Sequence, residues 1–385
     1  MTLPPEITGA YRSSELTYRT RLYTYDKWMK SVGIPIHRGY YIEDGRTVEL
    51  GWWEELGCKA AFIELVGQEG ISGAWITEIA PGKTLPPLKF AIDEIVYVLD
   101  GRGLTTVWQG EGKPKKTFEW QKHSMFLLPR NSSRQMSNAQ GDRPARLLHV
   151  SYIPIAMMLI QDPKFFFNNP YENPEVLYGK ETEFYSEAKS IQVTADSQWG
   201  ANWEGRMVWY GNFFPDLRAW DRLDQYNYRG AGGTRLAVQF PGSEMSCHMS
   251  VFPSRTYKKG HRHGPGFVIV IPAGEGYSIM WPEGKDKIVI PWHEASIFVP
   301  PYRWFHQHFN LGASYARYLA LHPPMQFAGA GERVGDPVAN QIEYPDEDPW
   351  VRRKFEEELA KRGLTSLMPD EAYKNRNLKW SYENK

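Results

Sequence analysis

The feature that most constrains the fold of this chain is an internal repeat that relates its two halves. Short segments recur in the same order at a separation of 171 to 173 positions. Self-similarity over such a distance indicates two copies of one structural unit, so the fold of one copy predicts the fold of the other. The corresponding segments are residues 101–103 with 274–276, Pro129 with Pro301, Arg134 with His306, Asn138 with Asn310, and residues 145–147 with 316–318.

Short runs of β-branched and aromatic residues, separated by turns, fill both halves. The runs 73–79 and 94–99 in the first half, and 245–252 and 266–271 in the second, are typical of strands. The chain contains 34 glycines and 28 prolines, which supply tight turns between such strands. We therefore predict an all-β protein of two tandem, jelly-roll-like barrels, with an N-terminal arm and a C-terminal helical tail.

The turns and the repeat divide the chain into five predicted parts. In the tail, Asp348 and Pro349 are typical of a helix start, and Gly363 is typical of a helix end. Val351, Phe355 and Leu359 recur at every fourth position, so this helix is expected to dock through one apolar stripe. The parts are an N-terminal arm (1–45), a first barrel (46–155), a connector (156–210), a second barrel (211–325) and a tail (326–385) with a helix near 349–362.

The second half carries histidines at spacings that suit a metal site. His261 and His263 are separated by one residue, and residues i and i+2 of a strand face the same way. A third histidine from a neighbouring strand, His306, can close a site of three nitrogens. We predict that these three histidines bind one metal ion, and tetrahedral zinc and octahedral iron both accept such ligands.

These residues resemble the two-part signature of the cupin superfamily. The first part of that signature is Gly…His-x-His…Glu…Gly, and the second is Pro-x-Gly-x-x-His-x-x-x-Asn. The second half is similar to the first part through His261, His263 and residues 274–276, and to the second part through Pro301, His306 and Asn310. The resemblance implies that each barrel is a cupin barrel, a double-stranded β-helix, and that the whole chain is a bicupin.

The two copies keep complementary parts of the signature. The first copy keeps the glutamate, Glu94, but has Leu88, Phe90 and Arg134 where the second copy has histidines. The second copy keeps the histidines but has Phe267 at the glutamate position. We therefore expect the metal in the second barrel only. In the first barrel we expect an ion pair between Arg134 and Glu94 in place of a metal, because a buried charge needs a partner.

Three histidines without a carboxylate, in a bicupin, resemble the gentisate, salicylate and 1-hydroxy-2-naphthoate dioxygenases. That resemblance implies Fe(II), O₂ and a small anionic substrate, a hydroxylated aromatic acid that chelates the metal through its hydroxyl and carboxylate. Mn, Ni or Zn are alternative metals. His308 shares a strand face with His306 and is a candidate acid–base residue, and Arg317 is a candidate contact for the substrate carboxylate.

Other interpretations of the same residues stay open. A non-oxidative isomerase, lyase or decarboxylase of a keto- or hydroxy-acid can use the same metal as a Lewis acid, and a non-enzymatic binding or storage protein is a further alternative. His308 is alternatively a fourth ligand or a rim residue. Arg317 is alternatively structural, like its counterpart Arg146, and Phe267 is alternatively a core ring turned away from the metal.

Charge and cysteine content exclude several classes of partner. Lys and Arg number 45, as do Asp and Glu, so the net charge is zero, which disfavours nucleic acid or an anionic membrane as partner. Two cysteines, Cys58 and Cys247, are too few for a disulfide framework, and we expect both to be reduced and inert. The first residues lack the pattern of a signal peptide and no long apolar run is present, so we expect a cytoplasmic protein. We also expect a homo-oligomer, with residues 1–45 and 346–363 as candidate contacts.

Overall fold

The computed structural model describes residues 23–172, 181–186, 188–194, 205–218, 224–225, 229–264, 266–324 and 340–380. Helices are few and short in these ranges, and none of them is both long and apolar enough to cross a membrane. The α-helices are α1 (Thr24–Val32), α2 (Ile153–Leu159), α3 (Glu181–Phe184) and α4 (Pro349–Ala360). Single 3₁₀ turns include Glu54–Leu56, Val66–Gln68, Pro163–Phe166, Tyr344–Asp346 and Asp370–Tyr373.

Strands make up most of the described chain. In the first half they are β1 (Ile36–Gly39), β2 (Tyr41–Ile42), β3 (Gly51–Trp53), β4 (Cys58–Leu65), β5 (Gly73–Ile79), β6 (Leu88–Lys89), β7 (Glu94–Asp100), β8 (Arg102–Trp108), β9 (Lys115–Gln121), β10 (Met125–Leu128), β11 (Ser133–Asn138) and β12 (Ala145–Ser151). In the second half they are β13 (Lys189–Gln192), β14 (Met207–Tyr210), β15 (Phe213–Phe214), β16 (Asp224–Gln225), β17 (Thr234–Gln239), β18 (Ser246–Phe252), β19 (Gly260–His261), β20 (Val268–Ala273), β21 (Gly276–Trp281), β22 (Ile288–Trp292), β23 (Ile297–Phe298), β24 (Phe305–Asn310), β25 (Ala316–His322) and β26 (Gln341–Ile342).

Each half folds into one large and one small sheet. The first barrel has a large sheet in the order β1-β4-β5-β12-β7-β10-β15, with β3 beside β4, and a small sheet in the order β6-β11-β8-β9. The second barrel has a large sheet in the order β13-β14-β17-β18-β25-β20-β23-β2, with β16 beside β17, and a small sheet in the order β22-β21-β24-β19-β26. The prediction of an all-β fold with two tandem jelly-roll-like barrels is therefore confirmed. The boundaries of the five parts stay a prediction. Outside the described ranges lie residues 1–22 of the arm, 173–180, 187 and 195–204 of the connector, 219–223, 226–228, 265 and 325 of the second barrel, and 326–339 and 381–385 of the tail.

The repeat positions occupy the same places in the two barrels. Leu88 pairs with Arg134 across β6 and β11, and His261 pairs with His306 across β19 and β24. The motif asparagines also act alike, because each side chain closes the turn that follows its own strand. Asn138 donates to the Arg143 carbonyl (2.8 Å), and Asn310 donates to the Ser314 carbonyl (2.8 Å).

The first glycine of the repeated segments 101–103 and 274–276 is required there for steric reasons. Gly101 and Gly274 have φ values of 94° and 100°, in the region that disfavours side chains. A Cβ on either would also lie 2.7 Å from the Cα of Ala145 or Ala316, respectively. The first residue of the neighbouring strand, Ala145 or Ala316, therefore packs directly on the backbone of the glycine. This contact fixes the turn in both barrels.

The outward faces of the two large sheets pack against each other. Residues alternate along a strand, so His149 faces the interior of the first barrel while Leu148 and Val150 face outward. In the second barrel Leu319 and Leu321 face outward in the same way. These four outward-facing residues belong to one hydrophobic cluster that joins the barrels. The barrels also exchange edge strands, since β2 pairs with β23 of the second barrel and β15 pairs with β10 of the first.

The C-terminal helix begins and docks as predicted. Asp348 caps α4 by accepting a hydrogen bond from the Trp350 amide (2.9 Å), with Pro349 as the first helical residue. Val351, Phe355 and Leu359 are buried, and they pack with rings of the second barrel such as Phe309. The helix therefore covers the outer face of the small sheet that carries His261 and His306.

The centre of the first barrel is closed by the expected ion pair. Arg134 Nη2 donates to Glu94 Oε2 (2.6 Å), and Glu94 Oε1 lies 2.6 Å from Nδ1 of His149, a partner that the sequence did not indicate. Glu94 is fully buried. Burial by itself raises the pKa of Glu94, but Coulomb attraction by Arg134 and His149, with their hydrogen bonds, outweighs it and lowers the pKa, so the carboxylate stays ionised.

Removing one partner of this pair is expected to destabilise the protein strongly. Arg134→Ala leaves the Glu94 charge buried without its cation, and we expect the free energy of unfolding to fall by about 3–5 kcal/mol in urea titrations. The double variant Arg134→Met, Glu94→Gln removes both charges and should lose clearly less. Metal content should be unchanged in every variant that folds. Loss of metal in these variants would instead place the metal in the first barrel.

Candidate metal centre

The three predicted histidines converge inside the second barrel. The pairing of β19 with β24 sets His261 opposite His306, and His263 follows two residues later. The ring centroid of His306 lies 4.3 Å from that of His261 and 4.7 Å from that of His263. One nitrogen from each ring falls within 4.8 Å of the others, so the group can hold a metal ion.

Backbone carbonyls orient all three imidazoles. Nδ1 lies 3.0 Å from the Lys259 carbonyl oxygen in His261, 2.9 Å from that of Gly264 in His263, and 3.2 Å from that of Trp304 in His306. A carbonyl oxygen only accepts, so each Nδ1 must carry the proton and donate it. Each Nε2 then keeps its lone pair for a ligand, which is the arrangement of metal-binding histidines. His306 Nε2 is buried and has no hydrogen-bond partner among the described residues.

The surroundings keep these imidazoles neutral. Burial lowers the pKa of His261 and His306 well below the usual histidine value, and the nearby positive charge of Arg229 lowers both further. Burial lowers the pKa of His263 to about 4. Because only the neutral ring has a free lone pair, the three side chains are in their metal-binding form at neutral pH.

The histidines open into a cavity of about 320 Å³. Its wall carries two guanidinium groups, and no aspartate or glutamate is among the described residues that line it. This combination makes the cavity attractive to an anion, because the side chains around it are either cationic or neutral. The lining residues are Arg229, Arg235, His248, Ser250, His261, His263, Phe267, Ile269, His306, His308, Tyr318 and Ala320.

Phe267 faces this cavity and is not turned into the core. Its ring stacks on His263 (centroids 4.7 Å apart) on one side and on His322 (4.0 Å) on the other. The position that corresponds to Glu94 therefore presents a phenyl ring beside a predicted ligand. A metal ion bound by the histidines would consequently receive no carboxylate from this position to offset its positive charge.

His308 shares the cavity with the three histidines but is oriented by different partners. It lies on the same face of β24 as His306, and its Nδ1 is 2.8 Å from Ser278 Oγ. Ser278 in turn accepts a hydrogen bond from the Trp292 indole (3.0 Å). Burial, followed by the charge of Lys258, lowers the pKa of His308 well below its usual value, so this ring is also neutral at pH 7.

Arg317 is not brought to the cavity. Tyr318 and Ala320 of the same strand line it, and alternation along β25 puts Arg317 on the opposite face. There it lies across from Val251 of β18 and Ala273 of β20. This placement matches that of its counterpart Arg146, which forms an ion pair with Glu78 (2.7 Å).

Several cavity residues were not identified from the sequence. No sequence motif singles out His248, which lines the cavity, or His322 behind it, and their rings form a pair with Nδ1 of His248 2.8 Å from Nε2 of His322, next to Phe267. Their position could have been inferred, since alternation on β25 aligns His322 with Tyr318 and Ala320. Arg229 and Arg235 gave no such signal, because neither stands in a motif that the two halves share.

The cluster of neutral histidines predicts a loss of stability in mild acid. The unfolded chain takes up protons near pH 6.5, whereas the folded chain does not until far lower pH, so stability falls as the pH decreases from about 6.5 towards 4. Each such histidine contributes up to about 1.4 kcal/mol per pH unit in this window. Urea unfolding of metal-free protein at pH 7, 6 and 5 should show the decline, and His322→Phe should reduce its slope. Equal stability at pH 7 and pH 5 would contradict the buried, neutral state of these rings.

Comparisons with known proteins give a limited result. No protein-family model matches the sequence, and no curated protein matches it. Among solved structures, oxalate decarboxylase from Bacillus subtilis at pH 4.6 shares 12% identity over 73% of this chain and 75% of that chain, with a TM-score of 0.45. A mutant of the same Bacillus subtilis enzyme shares 12% identity over 75% and 78% of the two chains, with a TM-score of 0.46. These values describe a distant likeness and do not assign a reaction to this chain.

Proposed function

We propose that this protein is a metal-dependent enzyme that acts on a small carboxylic acid in its second barrel. His261, His263 and His306 hold one divalent metal ion, for which Fe(II) is our first choice and Mn, Ni or Zn are alternatives. The proposed reaction is the addition of O₂ to a hydroxylated aromatic acid that binds through its hydroxyl and carboxylate. The observation that carries the proposal is the set of three Nε2 atoms that the backbone carbonyls leave available in a cation-lined cavity.

The donor set suits a divalent ion that keeps its charge and several open positions. Three neutral imidazoles compensate none of the ion's two positive charges, and Phe267 supplies no carboxylate. A six-coordinate ion with three protein ligands has three further positions, which are enough for a chelating acid and one small molecule. When bound, such an ion supplies Lewis acidity and, as Fe(II), chemistry with O₂.

The cavity wall supports a carboxylate substrate with a flat apolar body. Arg229 and Arg235 reach the cavity from elements outside the histidine strands, and a guanidinium can bind a carboxylate through two parallel hydrogen bonds. Phe267, Ile269 and Tyr318 provide apolar surface for the remainder of the molecule. The volume of about 320 Å³ lies at the lower end of the range for ligand pockets, which favours a single-ring substrate.

His308 is the residue that we propose to handle a proton. Its ring is neutral at pH 7, so it is able to accept the proton that a substrate hydroxyl loses on binding. Ser278, held by Trp292, fixes the orientation of the ring. The negative charge of the bound substrate would raise the pKa of His308 and so favour this transfer. Arg317 has no part in this proposal because it lies on the opposite face of its strand.

A second candidate function uses the same residues without O₂. A metal-polarised keto- or hydroxy-acid next to a neutral histidine base is also the arrangement for a lyase, decarboxylase or isomerase. His308 is the specific feature that favours this alternative. Once the hydroxyl proton of a chelated substrate has left, the reaction with O₂ needs no further base.

Loss of any one histidine ligand should abolish metal binding. We expect about one metal ion per chain in wild-type protein purified anaerobically without chelators, and close to none in His261→Ala, His263→Ala and His306→Ala. Two imidazoles bind the ion too weakly to retain it during purification. Elemental analysis by mass spectrometry is the measurement. His37→Gln, a change in the N-terminal region, is the matched control and should keep its metal. Stoichiometric metal in any of the three alanine variants would refute the ligand assignment.

Oxygen consumption separates the two candidate reactions. With the Fe(II) form we expect O₂ uptake on salicylate or gentisate and none on benzoate or phenol, because only the former pair carries both chelating groups. Arg235→Met should raise KM about tenfold or more through the loss of a charged hydrogen bond. Product formation from hydroxy- or keto-acids under strict anaerobiosis, with no uptake on any aromatic acid, would favour the lyase or isomerase function instead.

A further inference from the structure

The interior of the first barrel also contains a pocket, although its metal ligands are replaced. The pocket lies over the Arg134–Glu94 pair, and its walls are almost entirely apolar. Its lining contains the aromatic rings of Trp28, Trp53, Trp75, Phe90 and Phe167 and aliphatic side chains such as Leu88 and Met136. Such a shape suits a molecule with an aromatic or aliphatic body.

The polar groups in this pocket are few and lie together on its wall. They are Thr77, Arg134 and His149. Thr77 and His149 already bond to each other (Oγ1 to Nε2, 2.7 Å), and His149 also contacts Glu94. Arg134 has five N–H donors, of which the structure engages one, towards Glu94, within the described part of the chain. At 7% exposure Arg134 is more than nine-tenths buried, and because it lines the pocket a remaining donor can serve a ligand there.

The charge of the pair limits what the pocket accepts. Glu94 lies between Arg134 and His149, 2.6 Å from each, and stays ionised there. A carboxylate ligand on Arg134 would bring a second negative charge close to Glu94 in a poorly solvated site, where like charges repel strongly. A neutral oxygen acceptor, such as a carbonyl group, gains the hydrogen bond to Arg134 without that repulsion.

A second cavity adjoins this pocket and provides room for a larger body. It has a volume of about 400 Å³ and shares Trp28, Trp53 and Phe167 with the inner pocket as a common wall. Its outer side carries Glu55, Asp162 and Lys164. The inner pocket alone has about 40 Å³, so it accepts only the polar end of a ligand unless the three shared rings shift.

From these observations we propose that the first barrel is a binding site for a small neutral molecule with an apolar, preferably aromatic, body and one carbonyl-type acceptor directed at Arg134. The site is separate from the metal centre and does not depend on the function proposed for the second barrel. The ion pair that replaces the metal thus becomes the recognition element of a second ligand site.

Three probes of similar shape test the chemistry. Acetophenone has an aromatic ring and a neutral acceptor, benzoate has the same outline with a charge, and isopropylbenzene lacks the acceptor. Binding is followed by NMR on the ¹³C-methyl signal of Met136, which lines the pocket next to Arg134. We expect acetophenone to shift this signal and to bind at least about tenfold more tightly than either comparison compound, since a hydrogen bond to a charged group contributes that much.

Two variants place the site and control for folding. Arg134→Met, Glu94→Gln should abolish the preference for acetophenone over isopropylbenzene, and Leu85→Trp, at the half-buried edge of the pocket, should block both. Chelator treatment of the wild type should change nothing. A Met136 signal that acetophenone does not move up to its solubility limit, or equal affinity in the double variant, would overturn the proposal. Benzoate binding as tightly as acetophenone would overturn the neutral ligand class.

Discussion

One cross-strand pair at the centre of each barrel determines what that barrel can bind. Leu88 and Arg134 face each other in the first barrel, and His261 and His306 occupy the same register in the second. Polar groups at this depth must be satisfied, because an unpaired one costs several kilocalories per mole. Glu94 pairs with the charge of Arg134 within the first barrel, whereas the second barrel leaves His306 Nε2 without a partner among the described residues. The first centre therefore balances the arginine charge without a metal, and the second presents a lone pair that a metal can use.

The electrostatics of the second barrel follow from what it lacks. Phe267 replaces the carboxylate, and the cavity wall carries arginines but no acid in the ranges that the structure describes. Burial and these positive charges together keep the histidines neutral, which is the form that binds metal. In the function proposed above, the same positive charges favour an anionic substrate over a neutral one.

The sequence predicted those features that the repeat encodes. Aligning the halves placed Arg134 opposite Glu94 and the three histidines together, because both depend on positions that the two barrels share. Arg229 and Arg235 were not predicted, since neither stands in a motif that the halves share and both reach the cavity only through tertiary packing. Strand exchange was also beyond sequence patterns: nothing in Tyr41–Ile42 or Phe213–Phe214 indicates which of the two barrels each will join.

Hydrogen bonds from the first half also support the histidine cluster of the second barrel. The 3₁₀ turn Val66–Gln68 of the first half supports the segment that presents Phe267, since the Gly266 amide donates to the Gly67 carbonyl (3.0 Å). Glu69 accepts a hydrogen bond from the Tyr302 amide (2.8 Å), in the turn that leads to His306. Both connections meet the histidine cluster from outside the second barrel. The first barrel, whose centre is the Arg134–Glu94 ion pair, thus helps to set the geometry of the histidine cluster in the second, and this gives a physical reason for keeping that centre well packed.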